Sequence, residues 1–193
     1  MNEPIDKAPK PSLVRPRPWS TVRGTPTPVP LALEAPSHAT EVIPASAEPV
    51  PTALLHLWTV LTQKEQWSSL VVVPAQPGAS GLELGRALVS AGSQYLRERP
   101  IRLVDAQGLP LAAASRLVSD IRSYVGQGGV IVTCIDSIIS NPVGLMVAQA
   151  AERALLCVPL GATRFSEATR TLELVGKERF LGSVTLRPEA RGR

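Results

Sequence analysis

From Ser68 onward, short aliphatic runs rich in β-branched residues alternate with stretches of helical periodicity, and this alternation restricts the chain to very few architectures. Leu70-Val71-Val72-Val73 is a continuous apolar run of the kind found in strands covered on both faces. A Gly/Pro turn (Pro74–Gly81) leads to a helical stretch, Leu82–Arg97. Ile101–Val104 reads as the next strand. Leu111–Tyr124 follows as a helix with Leu111, Ala114, Leu117, Val118 and Ile121 on one face. Gly126–Gly129 turns the chain into a strand at Val130–Cys134. Helix at Pro142–Ala151, strand at Ala154–Val158, helix at Phe165–Val175 and strand at Phe180–Leu186 complete the pattern. Strands alternating with helices imply right-handed crossovers. The predicted fold class is therefore α/β, a three-layer parallel sheet with helices on both faces. Hydrophobic residues make up 44% of the chain and aromatics only 4%, so its core must be aliphatic.

The segment upstream differs in kind. Of 19 prolines, twelve fall in residues 1–51, in runs such as Thr25-Pro26-Thr27-Pro28-Val29-Pro30. Closely spaced prolines forbid helix and remove ladder donors, so 1–51 is expected to be an extended, disordered tail. It serves as a tether, or as a docking peptide where Arg15, Arg17 and Trp19 lie on a proline-stiffened stretch that loses little entropy on binding. Residues 52–67 read as a short amphipathic linker helix carrying Leu54, Leu55, Leu57, Trp58 and Leu61, with Trp58 and Trp67 as core or lid residues. The expected organisation is tail (1–51), linker helix (52–67), α/β domain (68–187) and a basic C-terminal tail (188–193).

Charge and composition exclude several functions. The net charge is +4, and residues 1–51 sum to zero. The chain lacks the dense Lys/Arg stripe with interleaved aromatics that a nucleic-acid surface needs. Arg97, Arg99 and Arg102 cluster at one helix–strand junction, as a solvated edge or a contact for an acidic partner. Cys134 and Cys157 lie far apart in apolar runs and read as buried thiols of a reducing compartment. Met1–Lys10 is polar, unlike a signal peptide, and no apolar run approaches the roughly 20 residues of a membrane helix, so a cytoplasmic location is expected. His38 and His56 have no triad partners, the His and Cys residues have no zinc spacing, and no dinucleotide fingerprint occurs. No metal or cofactor is expected.

In an open parallel sheet, ligands bind beyond the carboxyl ends of the strands. The first such turn is Ala75-Gln76-Pro77-Gly78-Ala79-Ser80-Gly81-Leu82, where a working phosphate loop would read G-x-x-x-x-G-K-[ST]. Three blocks extend the comparison: Val72–Gly78, Ile101–Ala106, and Val130–Thr133 followed by Ser140-Asn141-Pro142 and Ala151–Val158. Gly161-Ala162-Thr163 then stands as a Gly-x-Thr turn. In these blocks, across about residues 68–186, the chain resembles the bacterial tyrosine-kinase and MinD/ParA group of P-loop ATPases, especially the capsular and exopolysaccharide-associated kinases. The resemblance implies a P-loop NTPase-like sheet.

The departures from that family decide what the resemblance implies about activity. Ser80 stands at the loop's second glycine, Gly81 at its lysine and Leu82 at its magnesium-binding hydroxyl, while Gly78 stays within the turn. Gln107 replaces the second aspartate of the family's second-strand motif, and Thr133 replaces the Walker B aspartate. Asp105 survives, and Asp136 is either a displaced carboxylate or a turn cap. Phosphoryl transfer rests on positioning and electrostatic stabilisation, and losing one preorganised group costs on the order of 10²–10³ in rate. The chain's end also lacks the tyrosine-rich tail of the kinases.

The expectation is thus an inactive ATPase-like adaptor with no catalytic residues, binding a protein partner such as a polysaccharide-export or envelope component that recruits it to the inner membrane. A homodimer is among the assemblies this implies. The alternatives are a divergent active nucleotide enzyme with Asp105 and Asp136 holding metal, a ParA/MinD-like positioning factor, and a scaffold of another lineage.

Overall fold

The computed structural model describes residues 40–41, 50–96, 98–161 and 163–187. In chain order the elements are β1 (Thr40–Glu41), α1 (Thr52–Lys64), β2 (Ser69–Pro74), α2 (Leu82–Tyr95), β3 (Ile101–Ala106), α3 (Leu111–Gly126), β4 (Val130–Ile135), α4 (Gly144–Ala150), β5 (Arg153–Pro159), α5 (Phe165–Val175) and β6 (Phe180–Leu186). The six strands form one sheet in the order β1-β3-β4-β2-β5-β6. Strands β2 to β6 are all parallel, and β1 is antiparallel to β3.

The central strand β2 is buried along its whole length, which is why its sequence lacks polar alternation. Its side chains divide between two cores. Leu70 and Val72 face a layer made by α1 and α2, together with Leu103, Val132, Cys134, Leu155 and Cys157 from neighbouring strands. Val71 and Val73 face the layer of α3, α4 and α5, with Val104, Ile131, Ile135 and Ala154. Right-handed crossovers account for this split: the chain leaves β2 toward β3 over one face, then returns and continues to β6 over the other.

Helix α1 starts where Pro51 fixes the backbone at φ −54° and offers its carbonyl to Leu54 and Leu55. It is part of the core. Trp58 is 1% exposed, and its ring meets that of Trp67 edge-on at 5.4 Å. Trp67 donates from Nε1 to the Leu61 carbonyl at 3.2 Å, so the residues expected in the core or a lid are both in the core. Helix α2 sits unusually close to its neighbours because of two glycines. A Cβ at Gly85 would lie 2.3 Å from Cys134 Sγ, and one at Gly92 would lie 2.6 Å from the Trp58 ring.

Burial pushes the Cys134 thiol up to about 12, helped by the nearby Asp105 charge, and burial alone pushes Cys157 up to about 11. Both values exceed the thiol's ordinary 9.0, so above that pH the unfolded chain loses protons that the folded chain retains. The stability these thiols contribute is full below about pH 9 and falls as pH rises toward 11–12. Melting temperatures measured from pH 8 to 11 should therefore decline, less steeply in a Cys134→Ser, Cys157→Ala chain. A disulfide-exchange reagent should label neither thiol before unfolding.

Of the stretch expected to be an unpaired tail, Thr40 and Glu41 depart from expectation: they pair with Val104 and Leu103 on the edge of β3. A two-residue edge pairing needs backbone groups only, and neither residue is proline. Arg15, Arg17 and Trp19, Arg97, and residues 188–193 lie outside the described residues. No described helix is long and apolar enough to cross a membrane.

Candidate functional site at the carboxyl edge of the sheet

The connection from β2 runs toward β3, whereas the connection from β5 runs the opposite way toward β6. Adjacent strands whose exits diverge open a crevice between their carboxyl ends, the usual ligand position in such sheets. At this position the loop Ala75–Gly81 meets the end of β5 and Thr163 beyond it. Ala75 N–H donates to the Cys157 carbonyl at 2.9 Å at the base, and Thr163 Oγ1 donates to Gln76 Oε1 at 3.2 Å across the top.

Within the first loop, Gln76-Pro77-Gly78-Ala79 is a turn closed by Ala79 N–H on the Gln76 carbonyl at 3.4 Å. Gly78 takes φ +75°, which suits the third residue of a type II turn after proline. Ser80 Oγ accepts from Leu82 N–H at 3.2 Å and from Gln107 Nε2 at 2.8 Å. The serine, one residue before the Gly81 N-cap, thus takes up the N–H of the first helical residue of α2 and clasps the loop after β3.

Gly81 lies at the position expected to be the lysine of a phosphate loop. A Cβ here would lie 2.6 Å from Val72 Cγ1, so the backbone is held against the strand with no room for a side chain. Its carbonyl accepts from Cys134 Sγ at 3.5 Å and from Gly85 N–H at 2.9 Å. Leu82, at the hydroxyl position, packs against the core under α2. Thr133 is 2% exposed inside β4, flanked by Val71 and Val104.

The two carboxylates hold backbone. Asp105 Oδ1 accepts from Gln107 N–H at 3.0 Å and shapes its own turn. Asp136 Oδ2 accepts from Gly108 N–H at 2.7 Å and from Asn141 Nδ2 at 3.1 Å, tying the loop after β3 to the loop after β4. No group of three or more His, Cys, Asp or Glu side chains that could hold a metal occurs among the described residues. Asp136→Ala should cost about 0.5–1.5 kcal/mol, the net worth of bonds to an exposed Gly108 N–H and a half-buried Asn141 that water can replace. Chemical denaturation checks this, with Asp136→Asn as the milder companion.

No protein-family model matches the chain, and no curated protein is similar to it. The site therefore rests on its own geometry. The structure brings together Gly78, Ser80, Gly81, Leu82 and Gln107 around one loop, and it brings Asp105 and Asp136 to adjoining turns. Val72, Gln76, Asn141 and Thr163 all fall in the blocks that carry the resemblance, but their contacts with Gly81, with Asp136 and with each other had no signal in the sequence.

The remaining arginines of the basic junction are engaged in structure. Arg99 donates to the Gly128 carbonyl at 3.0 Å and to Ser68 Oγ at 2.9 Å, and Arg102 stacks 4.5 Å from the Tyr124 ring centre. They border the opposite, amino edge of the sheet, where a cavity of about 430 Å³ lies among Trp67, Ser68, Leu96, Arg99 and Glu152. Glu152 there accepts from Ser68 N–H at 2.7 Å.

Proposed function

We propose that the chain is a catalytically inactive ATPase-like adaptor. On this reading it binds a protein partner in polysaccharide export or other envelope machinery, and that partner recruits it to the inner membrane. The observation that carries the proposal is the contact between Gly81 and Val72. It leaves no volume for the cation that phosphate chemistry requires, in a loop whose serine is already spent on Leu82 and Gln107. Two further features support it. The Walker B position is a buried threonine, and Asp136 is committed to holding two loops together.

A triphosphate with magnesium needs positive charge and metal ligands placed before it arrives. Backbone N–H groups alone provide neither neutralisation nor an in-line geometry. What remains is a rigid α/β frame with a closed first loop, a suitable body for recognising another protein. Isothermal titration of the full chain with magnesium-ATP should give no saturable heat, and a phosphate-release assay should stay at background. Micromolar binding with turnover would overturn the proposal, and loss of that turnover in Asp105→Asn would support the divergent enzyme instead.

A further inference from the structure

The two edges of the sheet are treated differently. On one side β3 is covered by β1, and β3 itself carries Arg102 on an exposed position. On the other side β6 has seven residues, Phe-Leu-Gly-Ser-Val-Thr-Leu, with neither charge nor proline. No described strand lies beyond it. Natural sheets guard such edges with charges, prolines, bulges or covering elements, because a bare row of N–H and C=O groups invites another strand.

The start of β6 has such guards. The register skips a residue at Leu181, which forms a bulge, and Lys64 Nζ from α1 donates to the Leu181 carbonyl at 2.6 Å. From Ser183 to Leu186 no such guard occurs, until Arg187 and Pro188 follow in the sequence. Leu160 N–H donates to the Leu186 carbonyl at 2.8 Å, so the backbone groups of Leu186 and, by alternation, Val184 point inward to β5. Those of Ser183 and Thr185 point outward. Both side chains are exposed as well, while Val184 and Leu186 are partly buried against the core under α1.

We infer that β6 pairs with β6 of a second copy of this chain, antiparallel, about a two-fold axis at Val184. In that register Ser183 of one copy faces Thr185 of the other. Both have outward backbone groups, so each position exchanges a reciprocal pair of N–H···O bonds. The arrangement is self-complementary, as a two-fold interface must be. It sets Ser hydroxyls beside Thr hydroxyls, a favourable cross-strand pairing. It also places Arg187 of one copy opposite Leu181 of the other, so the arginines lie at opposite ends of the pair. A single sheet then runs through both copies. The pairing depends on the β6 backbone alone and is independent of whether the first loop receives nucleotide. The shared edge is short, so the dimer belongs at or below the roughly 1,200 Å² end of specific interfaces.

Sedimentation equilibrium of the full chain without nucleotide should give a concentration-dependent mass rising to twice that of one chain. Thr185→Pro removes only an outward N–H, a position where edge strands tolerate proline. It should sediment as a single chain with an unchanged melting temperature. Ser183→Lys should do the same by placing a charge on the edge, and it decides the matter if the proline variant fails to fold. A wild-type chain that stays single at the highest concentration, as it would if this edge served a different protein, overturns the inference. So does a dimer that survives both substitutions. A dimer that appears only with magnesium-ATP overturns both this inference and the proposed function.

Discussion

Trp58→Ala should destabilise the fold by about 3–5 kcal/mol, the usual cost of truncating a large buried aromatic. Small domains are stable by only about 5–15 kcal/mol, so a sizeable unfolded fraction is expected near the growth temperature of a mesophile. The expectation follows from what the ring touches. It is 1% exposed, stands edge-on to Trp67 at 5.4 Å, and occupies the space that Gly92 leaves open in α2. Gly92 has no side chain to fill the void, and Trp67 is held by its bond to the Leu61 carbonyl. Val60, two residues on in the same helix and 50% exposed, provides the control: Val60→Ala should change stability by less than about 0.5 kcal/mol. Urea denaturation followed by far-UV circular dichroism measures both. Equal midpoints for the two variants would mean that α1 is not part of the core.

Putting consensus side chains back into the first loop should damage the protein without creating an ATPase. Gly81→Lys forces a Cβ into the 2.6 Å gap to Val72 Cγ1, and Val72 is a short, stiff side chain on the central strand with no slack to give. Overpacking of this kind costs about 1–3 kcal/mol. Thr133→Asp should be worse. It places a carboxylate at a 2% exposed position between Val71 and Val104, with no cation on that part of the strand, and an unpaired buried charge costs about 3–5 kcal/mol. Burial would raise that carboxyl's pKa above its unfolded value, so the penalty is complete at neutral pH and shrinks as the pH falls toward 5 and the group protonates. The stability difference from wild type, measured by denaturation at pH 7 and pH 5, should narrow. A Thr133→Asp chain as stable as wild type at pH 7 that gains magnesium binding would show a latent metal site.

The strand and helix order was legible because it depends on local composition. Phe165–Val175 and Phe180–Leu186 end where their apolar periodicity ends. The helix from Leu82 stops at Tyr95, short of the expected Arg97, and strand β3 runs on to Ala106, because pairing with β4 carries it two residues past its apolar core. The strand at Thr40–Glu41 was illegible: its pairing uses backbone alone, and its sequence sits among prolines. At the site, the residue types of the first loop could be read in order, and so could the missing lysine and carboxylate. Their present occupations could not. The Ser80–Gln107 clasp joins residues 27 apart, and the Asp136–Gly108 bond joins residues 28 apart, through loops set by sheet register. The closeness of Gly81 to Val72 has no signature in sequence, since a glycine beside a helix start also reads as a simple turn residue.

The position of β2 in the sheet bears on how the chain is made. Among the described strands it is the first long one to leave the ribosome, yet both its neighbours, β4 and β5, are synthesised later, and Glu152 N–H meets Ser69 Oγ across 83 residues. At about 5–20 residues per second, the interval between the two is on the order of ten seconds. Through that time Leu70-Val71-Val72-Val73, the most apolar stretch of the chain, has no finished sheet to enter. Nascent chains stalled anywhere before Arg153 should therefore remain protease-sensitive and occupied by chaperones, and native resistance should arise in one late step.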